Sequence, residues 1–178
     1  TKASPEGGEG KLSFIMMDDP EHARLRRMVT APFAVKKVEA LRPAVQRIVD
    51  DLIDGMLSRP GPVDLVEEFA LPIPSLVICE LLGVPYDDHA MFQENTKTMV
   101  RTTATPAQRG TATREMAGYL AGQIGKRLAE PRDDLLSGIA GRVTAGEIDH
   151  RQATEMALLL LIAGHETTAN MIALGTLA

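Results

Sequence analysis

The chain has a single cysteine, no tryptophan and only 3% aromatic residues. One cysteine cannot close an internal disulfide, and no charged-then-apolar signal opens the sequence, so neither secretion nor a disulfide framework is indicated. Positive charge is also in deficit. With 19 Lys and Arg against 24 Asp and Glu, the formal net charge is -5 and the pI about 5.4. That balance argues against general nucleic-acid binding, which needs a broad basic surface. Long apolar runs are missing too. The stretch from Met156 to Gly164 falls far short of the roughly 20 residues a membrane span needs, and Glu155, His165 and Glu166 bound it. No internal repeat or low-complexity tract interrupts the sequence. What remains, in 178 residues with 44% hydrophobic content and 11 prolines, is the composition of one soluble, mainly α-helical unit with a moderate core. The expected location is the cytoplasm, with no membrane or nucleic-acid partner.

Against that background, Leu158-Leu159-Leu160-Leu161-Ile162-Ala163-Gly164-His165-Glu166-Thr167-Thr168 is the most informative stretch. Helix-compatible residues without proline flank it from Arg151 to Met156 and from Ala169 to Leu177, so it is expected mid-helix. At about 100° per residue, Gly164, Thr167 and Thr168 share one face, with Leu160 a turn earlier. Ala163 and Gly164 leave that face shallow enough for a flat ligand. A mid-helix glycine costs about 1 kcal/mol relative to alanine, which points to close approach by another group. The Thr167 hydroxyl can bond the carbonyl of Ala163, loosening the helical ladder and admitting water. Beside it, Glu166 is a carboxylate able to pass protons. A packing helix with a satisfied Glu–Thr pair and a packing glycine is the competing reading of the segment alone. Zinc binding through His165-Glu166 is disfavoured, because the second ligand position four residues after His165 is Ala169.

Ala163-Gly164-His165-Glu166-Thr167-Thr168 resembles the distal helix signature of the cytochromes P450, the haem-thiolate monooxygenases. In that family this helix crosses the haem face at which dioxygen binds. A second constellation supports the likeness. In Asp18-Asp19-Pro20-Glu21-His22-Ala23-Arg24-Leu25-Arg26-Arg27, Asp19 can cap a helix whose first position suits Pro20. His22 and Arg26 then lie one turn apart and offer two donors to one object, for which a carboxylate is a good match. A solvated basic helix face is the alternative. The segment is similar to the family's helix C, and by that match His22 and Arg26 bind the haem propionates. Phe33 matches a phenylalanine often found near the haem, with an ordinary core position as the other reading. Arg24 and Arg27 fall on the surface that in the family receives a ferredoxin-type electron donor.

The resemblance runs from the loop before helix C to the middle of helix I. It implies the central helical portion of the P450 fold, mainly α with at most one or two short strands. The expected elements are a loop at 1–19, helices C and D at 20–58, a short strand at 62–66, helix E at 72–83, helices F and G at 87–129, helix H at 133–140 and helix I at 147–178. The helix D region carries an amphipathic pattern through Val45, Ile48, Val49, Leu52, Ile53, Met56 and Leu57. Pro62 to Val66, after Arg59-Pro60-Gly61, reads as the one convincing strand. Gly83 and Pro85 end the helix from Ile73. The F and G pair, joined by the Thr-rich link 102–105, forms a lid over the substrate pocket in the family.

The implied activity of the complete parent is hydroxylation of a small organic substrate with dioxygen and two electrons on haem b. Glu166 and Thr167 would deliver protons for oxygen activation, and Ala163, Gly164, Thr167 and Thr168 would line the cofactor. Ile15, Met16, Leu159, Ile162 and Ala163 are the expected substrate contacts. The axial ligand is a different matter. The family's cysteine follows helix I in a glycine-rich loop, whereas Cys79 precedes the distal motif inside an apolar helix and reads as core. The family's Glu-x-x-Arg motif is absent as well, and the chain stops without a helix-ending signal. No metal ligand is therefore expected in this chain, which by itself is expected to be inactive. The alternative is a non-catalytic helical interaction domain, or a fragment that self-associates through exposed apolar surface.

Overall fold

The computed structural model describes residues 14–178, without the side chains of Tyr86 and Val100. Residues 1–13 of the expected 1–19 loop lie outside the described residues. Among the described residues, eight α-helices follow one another: α1 (Glu21–Thr30), α2 (Val35–Ala40), α3 (Arg42–Leu57), α4 (Pro72–Leu82), α5 (His89–Val100), α6 (Pro106–Ala129), α7 (Leu135–Thr144) and α8 (His150–Leu177). Short 3₁₀ or π-helical turns fill several of the links.

Local chemistry sets most of the helix ends. Asp149 accepts from the Gln152 backbone at 2.6 Å while its own N–H donates to Gln152 Oε1 at 3.1 Å, a reciprocal cap at the start of α8. Thr105 and Gln108 make the same exchange ahead of Pro106 in α6. At the end of α4, Gly83 adopts φ +75, and its N–H together with that of Val84 returns to the Cys79 carbonyl. In α1, the Ala23 N–H donates to Asp19 Oδ1 at 3.1 Å.

Between α3 and α4 the expected strand at 62–66 does not form, and no strand occurs among the described residues. The Asp64 carboxylate accepts the Val66 and Glu67 backbone N–H groups at 2.9 and 3.1 Å. Those donors would otherwise need a neighbouring strand, and capping them turns the chain into the π-helical turn Val66–Ala70. The span expected as two helices at 20–58 is also subdivided. Pro32 helps set a 3₁₀ turn at Ala31–Phe33, after which Ala34 is extended, so the short α2 separates α1 from α3.

The core lies where α4, α5, α6 and α7 pack around α8. Leu82, Met116, Leu120, Ile124, Leu136, Ala153 and Ala157 are wholly buried there. The helix α8 is long and apolar enough, by length and composition, to cross a membrane; in this fold it is the central helix on which the others pack. Its buried positions run from Ala153 to Ala169, whereas Met171, Leu174 and Leu177 on its last turns are exposed.

Candidate functional site

The helix α8 runs unbroken through Ala163 to Thr168. The Thr167 Oγ1 donates to the Ala163 carbonyl at 2.7 Å, the bond expected from the sequence, yet the helical ladder stays intact. A Cβ placed on Gly164 would meet only Ile78 Cδ1, at 3.5 Å, an ordinary contact. No atom among the described residues crowds the glycine. What Gly164 does instead is deepen a notch on an apolar cavity of about 480 Å³, walled by Phe33, Leu160, Ala163, Gly164 and Thr168 and closed from the other side by α4. Small-molecule and cofactor pockets commonly hold about 300–1,000 Å³ and are mostly apolar, so this one is of the right size and character. Helix packing alone brings Phe33, more than a hundred positions earlier in the sequence, to the Gly164 face.

The remaining expected site residues do not line this cavity. Thr167 is exposed and Glu166 half-buried. Leu159 and Ile162 are half-buried against the main core. Ile15 and Met16 are exposed on a short 3₁₀ turn ahead of α1. His22 places Nδ1 3.7 Å from Asp19 Oδ1 and stacks on Phe14 with ring centroids 6.0 Å apart. Arg26, one turn on, is exposed, and its guanidinium has no partner among the described residues. On the same helix Arg24 is engaged internally, with Glu21 at 2.9 Å and the Glu147 carbonyl at 3.0 Å. Arg27 is exposed without a partner among the described residues.

Behind the notch lies a polar cluster that the sequence reading missed. His165 is buried, with Nε2 2.8 Å from Ser75 Oγ of α4. Its Nδ1 stands 3.6 Å from Glu166 Oε1, and neither of those atoms has a hydrogen-bond partner among the described residues. Burial pushes the Glu166 carboxyl above its ordinary range, with the Lys97 ammonium pulling partly back. Burial likewise pushes the His165 imidazole down, opposed by the Leu71 carbonyl. Lys97, on α5, is itself bonded to Glu67 at 3.0 Å. The signal for His165 was present in the spacing. Leu158, Leu161, His165 and Ala169 form one buried stripe of α8, which turns the imidazole into the core against Ser75 of α4.

No family model matches the chain. Individual relatives do. It is 53% identical over 166 residues to the cytochrome P450 GfsF of Streptomyces halstedii and 54% identical over 165 residues to the cytochrome P450-SU2 of Streptomyces griseolus, covering 93% of this chain in each case. The crystal structure of GfsF superposes with a TM-score of 0.87 over 93% of this chain and 41% of that one. The chain belongs to the cytochrome P450 family. A further P450 structure, the mycinamicin VIII C21 methyl hydroxylase of Micromonospora griseorubida bound to mycinamicin VIII, gives a TM-score of 0.86 at 41% identity, over 94% of this chain and 43% of that one. The chain spans about 40% of the length of the curated P450 relatives it matches. The described residues are the helical part of the P450 fold, and the notch on α8 lies within the segment shared with those relatives.

Cys79 bears on which sulfur could serve a haem in such a fold. It is buried in α4, and burial together with the nearby Asp88 charge pushes its thiol up to about 12. It therefore stays a protonated core thiol, not the thiolate that haem ligation needs.

Proposed function

We propose that this chain forms the oxygen-side wall and the proton-handling groups of a haem b-dependent monooxygenase that hydroxylates a small organic substrate with dioxygen and two electrons. The observation that carries the reading is the apolar cavity opening on Ala163 and Gly164, with Thr167 and Glu166 on the next turn of the same helix. A flat macrocycle fits such a wall, because the two small residues let it approach the helix backbone. Phe33 and Thr168 would hold its edge. Arg26, unpaired and exposed, and His22 one turn before it would take its propionates, for which a guanidinium and an imidazole are suited donors. Haem, when bound, supplies the oxidising chemistry; the protein supplies position and protons.

Each residue's share follows from its surroundings. Thr167 holds its hydroxyl at the Ala163 carbonyl, so its oxygen remains free to accept from a water and order it over the notch. Glu166, raised by burial, holds its proton to higher pH than an exposed carboxyl and is suited to give it up to that water. Leu159, Ile162, Ile15 and Met16 would face the substrate. Arg27 would meet an acidic, ferredoxin-type electron donor; Arg24, tied to Glu21 and Glu147, would contribute charge without a free fork. The axial thiolate would come from sequence outside these 178 residues, since Cys79 is unsuited. Relatives named hydroxylases support the reaction class, among them a vitamin D3 dihydroxylase of Streptomyces griseolus. A cytoplasmic location accords with this reading.

The test is optical. The purified protein that carries this chain, reduced and treated with carbon monoxide, is expected to show the absorption band of thiolate-ligated haem, and a preparation without it overturns the assignment.

A further inference from the structure

Successive side chains on a helix diverge by about 100°, yet His165 and Glu166 bring one polar atom each to within 3.6 Å. Both atoms are buried and unpartnered among the described residues. An unsatisfied buried polar atom is destabilising, and the two face each other. The separation exceeds hydrogen-bond length, which for N and O is about 2.7–3.2 Å, by less than an ångström. A small side-chain rotation closes it.

Which atom donates follows from the other side of the imidazole. Nε2 lies 2.8 Å from Ser75 Oγ, a hydroxyl able to accept the ring hydrogen. With the ring hydrogen on Nε2, directed at that hydroxyl, the unpartnered Nδ1 presents a lone pair. Toward a lone pair, the carboxyl must bring the hydrogen.

We propose that His165 is a positioning residue for the proton-delivering acid: its Nδ1 accepts a hydrogen bond from protonated Glu166 and keeps that carboxyl turned inward and loaded. The charged surroundings agree with a neutral pair. From α5, Lys97 acts on Glu166, but its ammonium is bonded to Glu67 of the 66–70 turn. The α4 contact is the uncharged Ser75. Burial favours the neutral form of both partners. The proposal rests on the monooxygenase reading for the purpose of the proton, but not for the existence of the hydrogen bond.

Infrared difference spectroscopy on the haem-loaded protein that carries this chain tests it. A protonated-carboxyl C=O band is expected at neutral pH that disappears in Glu166→Gln. In His165→Leu the band should move to higher frequency, because the O–H has lost its acceptor. In His165→Asn, whose amide oxygen can stand where Nδ1 stood, the band should return toward the wild-type position. Absence of any Glu166→Gln-sensitive band overturns the proposal, even if the His165 variants do not fold. So does a band at the same frequency in wild type and His165→Leu. The carbon-monoxide spectrum of the same samples reports on the haem reading independently, so failure of one is distinguishable from failure of the other.

Discussion

Thr167 and His165 are two positions apart on α8 and meet opposite environments, one exposed and one buried. The Thr167 hydroxyl contributes one bond to its own helix, and alanine is the better helix former, so Thr167→Ala should change stability by no more than about 0.5 kcal/mol. Its effect should fall on chemistry. Product formed per reductant consumed is expected to drop, with the difference appearing as hydrogen peroxide; unchanged coupling would count against a proton role for Thr167. Titration at Glu166 gives a second residue-scale expectation. Its folded carboxyl binds a proton more tightly than its ordinary 4.5 allows in the unfolded chain. The stability this lends is full below 4.5 and is lost as pH rises through the folded value. His165, held below 6.5, acts in the other direction, full above 6.5 and lost as pH falls through its folded value. Urea midpoints measured across this range should therefore fall less on the alkaline side of 4.5 in Glu166→Gln than in wild type. Equal slopes would show that the carboxyl is not buried as described. Of these residues, the Thr167 bond was legible in the sequence because it is local. The Ser75 contact to His165 was not, since 90 positions separate the two.

Between elements, a buried polar junction joins α4, α6 and α7. Arg127 of α6 is 3% exposed and pairs at 2.7 Å with the 7% exposed Asp134, and its guanidinium also donates to the Gly83 carbonyl. The other Asp134 oxygen accepts the Ser137 N–H at 2.7 Å and caps α7. The carboxylate therefore ties the end of α6 to the start of α7, and Arg127 carries the link on to the end of α4. Arg127→Met should cost about 3–5 kcal/mol, because it leaves Asp134 buried without its counter-charge. Gly83→Ala should be damaging in its own right: the φ of +75 is strained for a side chain, and a Cβ would collide with the Asp134 carboxylate. The backbone strain alone accounts for about 1–3 kcal/mol. Chemical denaturation of both variants checks these values, and a near-neutral Arg127→Met would mean the junction is more open to water than its exposure says. This scale also shows where the sequence was readable. Pro72 and Gly83 bracket α4 through backbone geometry that proline and glycine impose by themselves. The 62–66 segment misled because β-branched residues and flanking turn residues state only that a strand is possible. A strand needs a partner, and Asp64 removed the need by capping its own neighbours. The subdivision of 20–58 was hidden for a similar reason, since Pro32 is compatible both with a helix start and with the 3₁₀ turn that forms.

At the scale of the molecule, the chain spans about 40% of its curated relatives, and its surface reflects that. Met171, Leu174 and Leu177 are 71%, 65% and 84% exposed on the last turns of α8, spaced to share one side of the helix. Phe33 and Leu160 line the apolar cavity. A motif reading could name this region because the P450 signature on α8 implies a ligand and further chain against it; no periodicity within these residues could say what covers it. Apolar surface of this kind drives association when left bare. The 178-residue chain expressed by itself is therefore expected to run as oligomers in light scattering, and the combined substitution Met171→Lys, Leu174→Glu and Leu177→Lys should shift it toward monomer. The same three changes in the haem-loaded parent should act oppositely, lowering haem retention and thermal stability, because there the charges would be forced against covering chain at a cost of several kcal/mol. A monodisperse wild-type fragment, or a parent indifferent to the triple substitution, would place the covering surface elsewhere and separate the end of α8 from the haem-binding part of the fold.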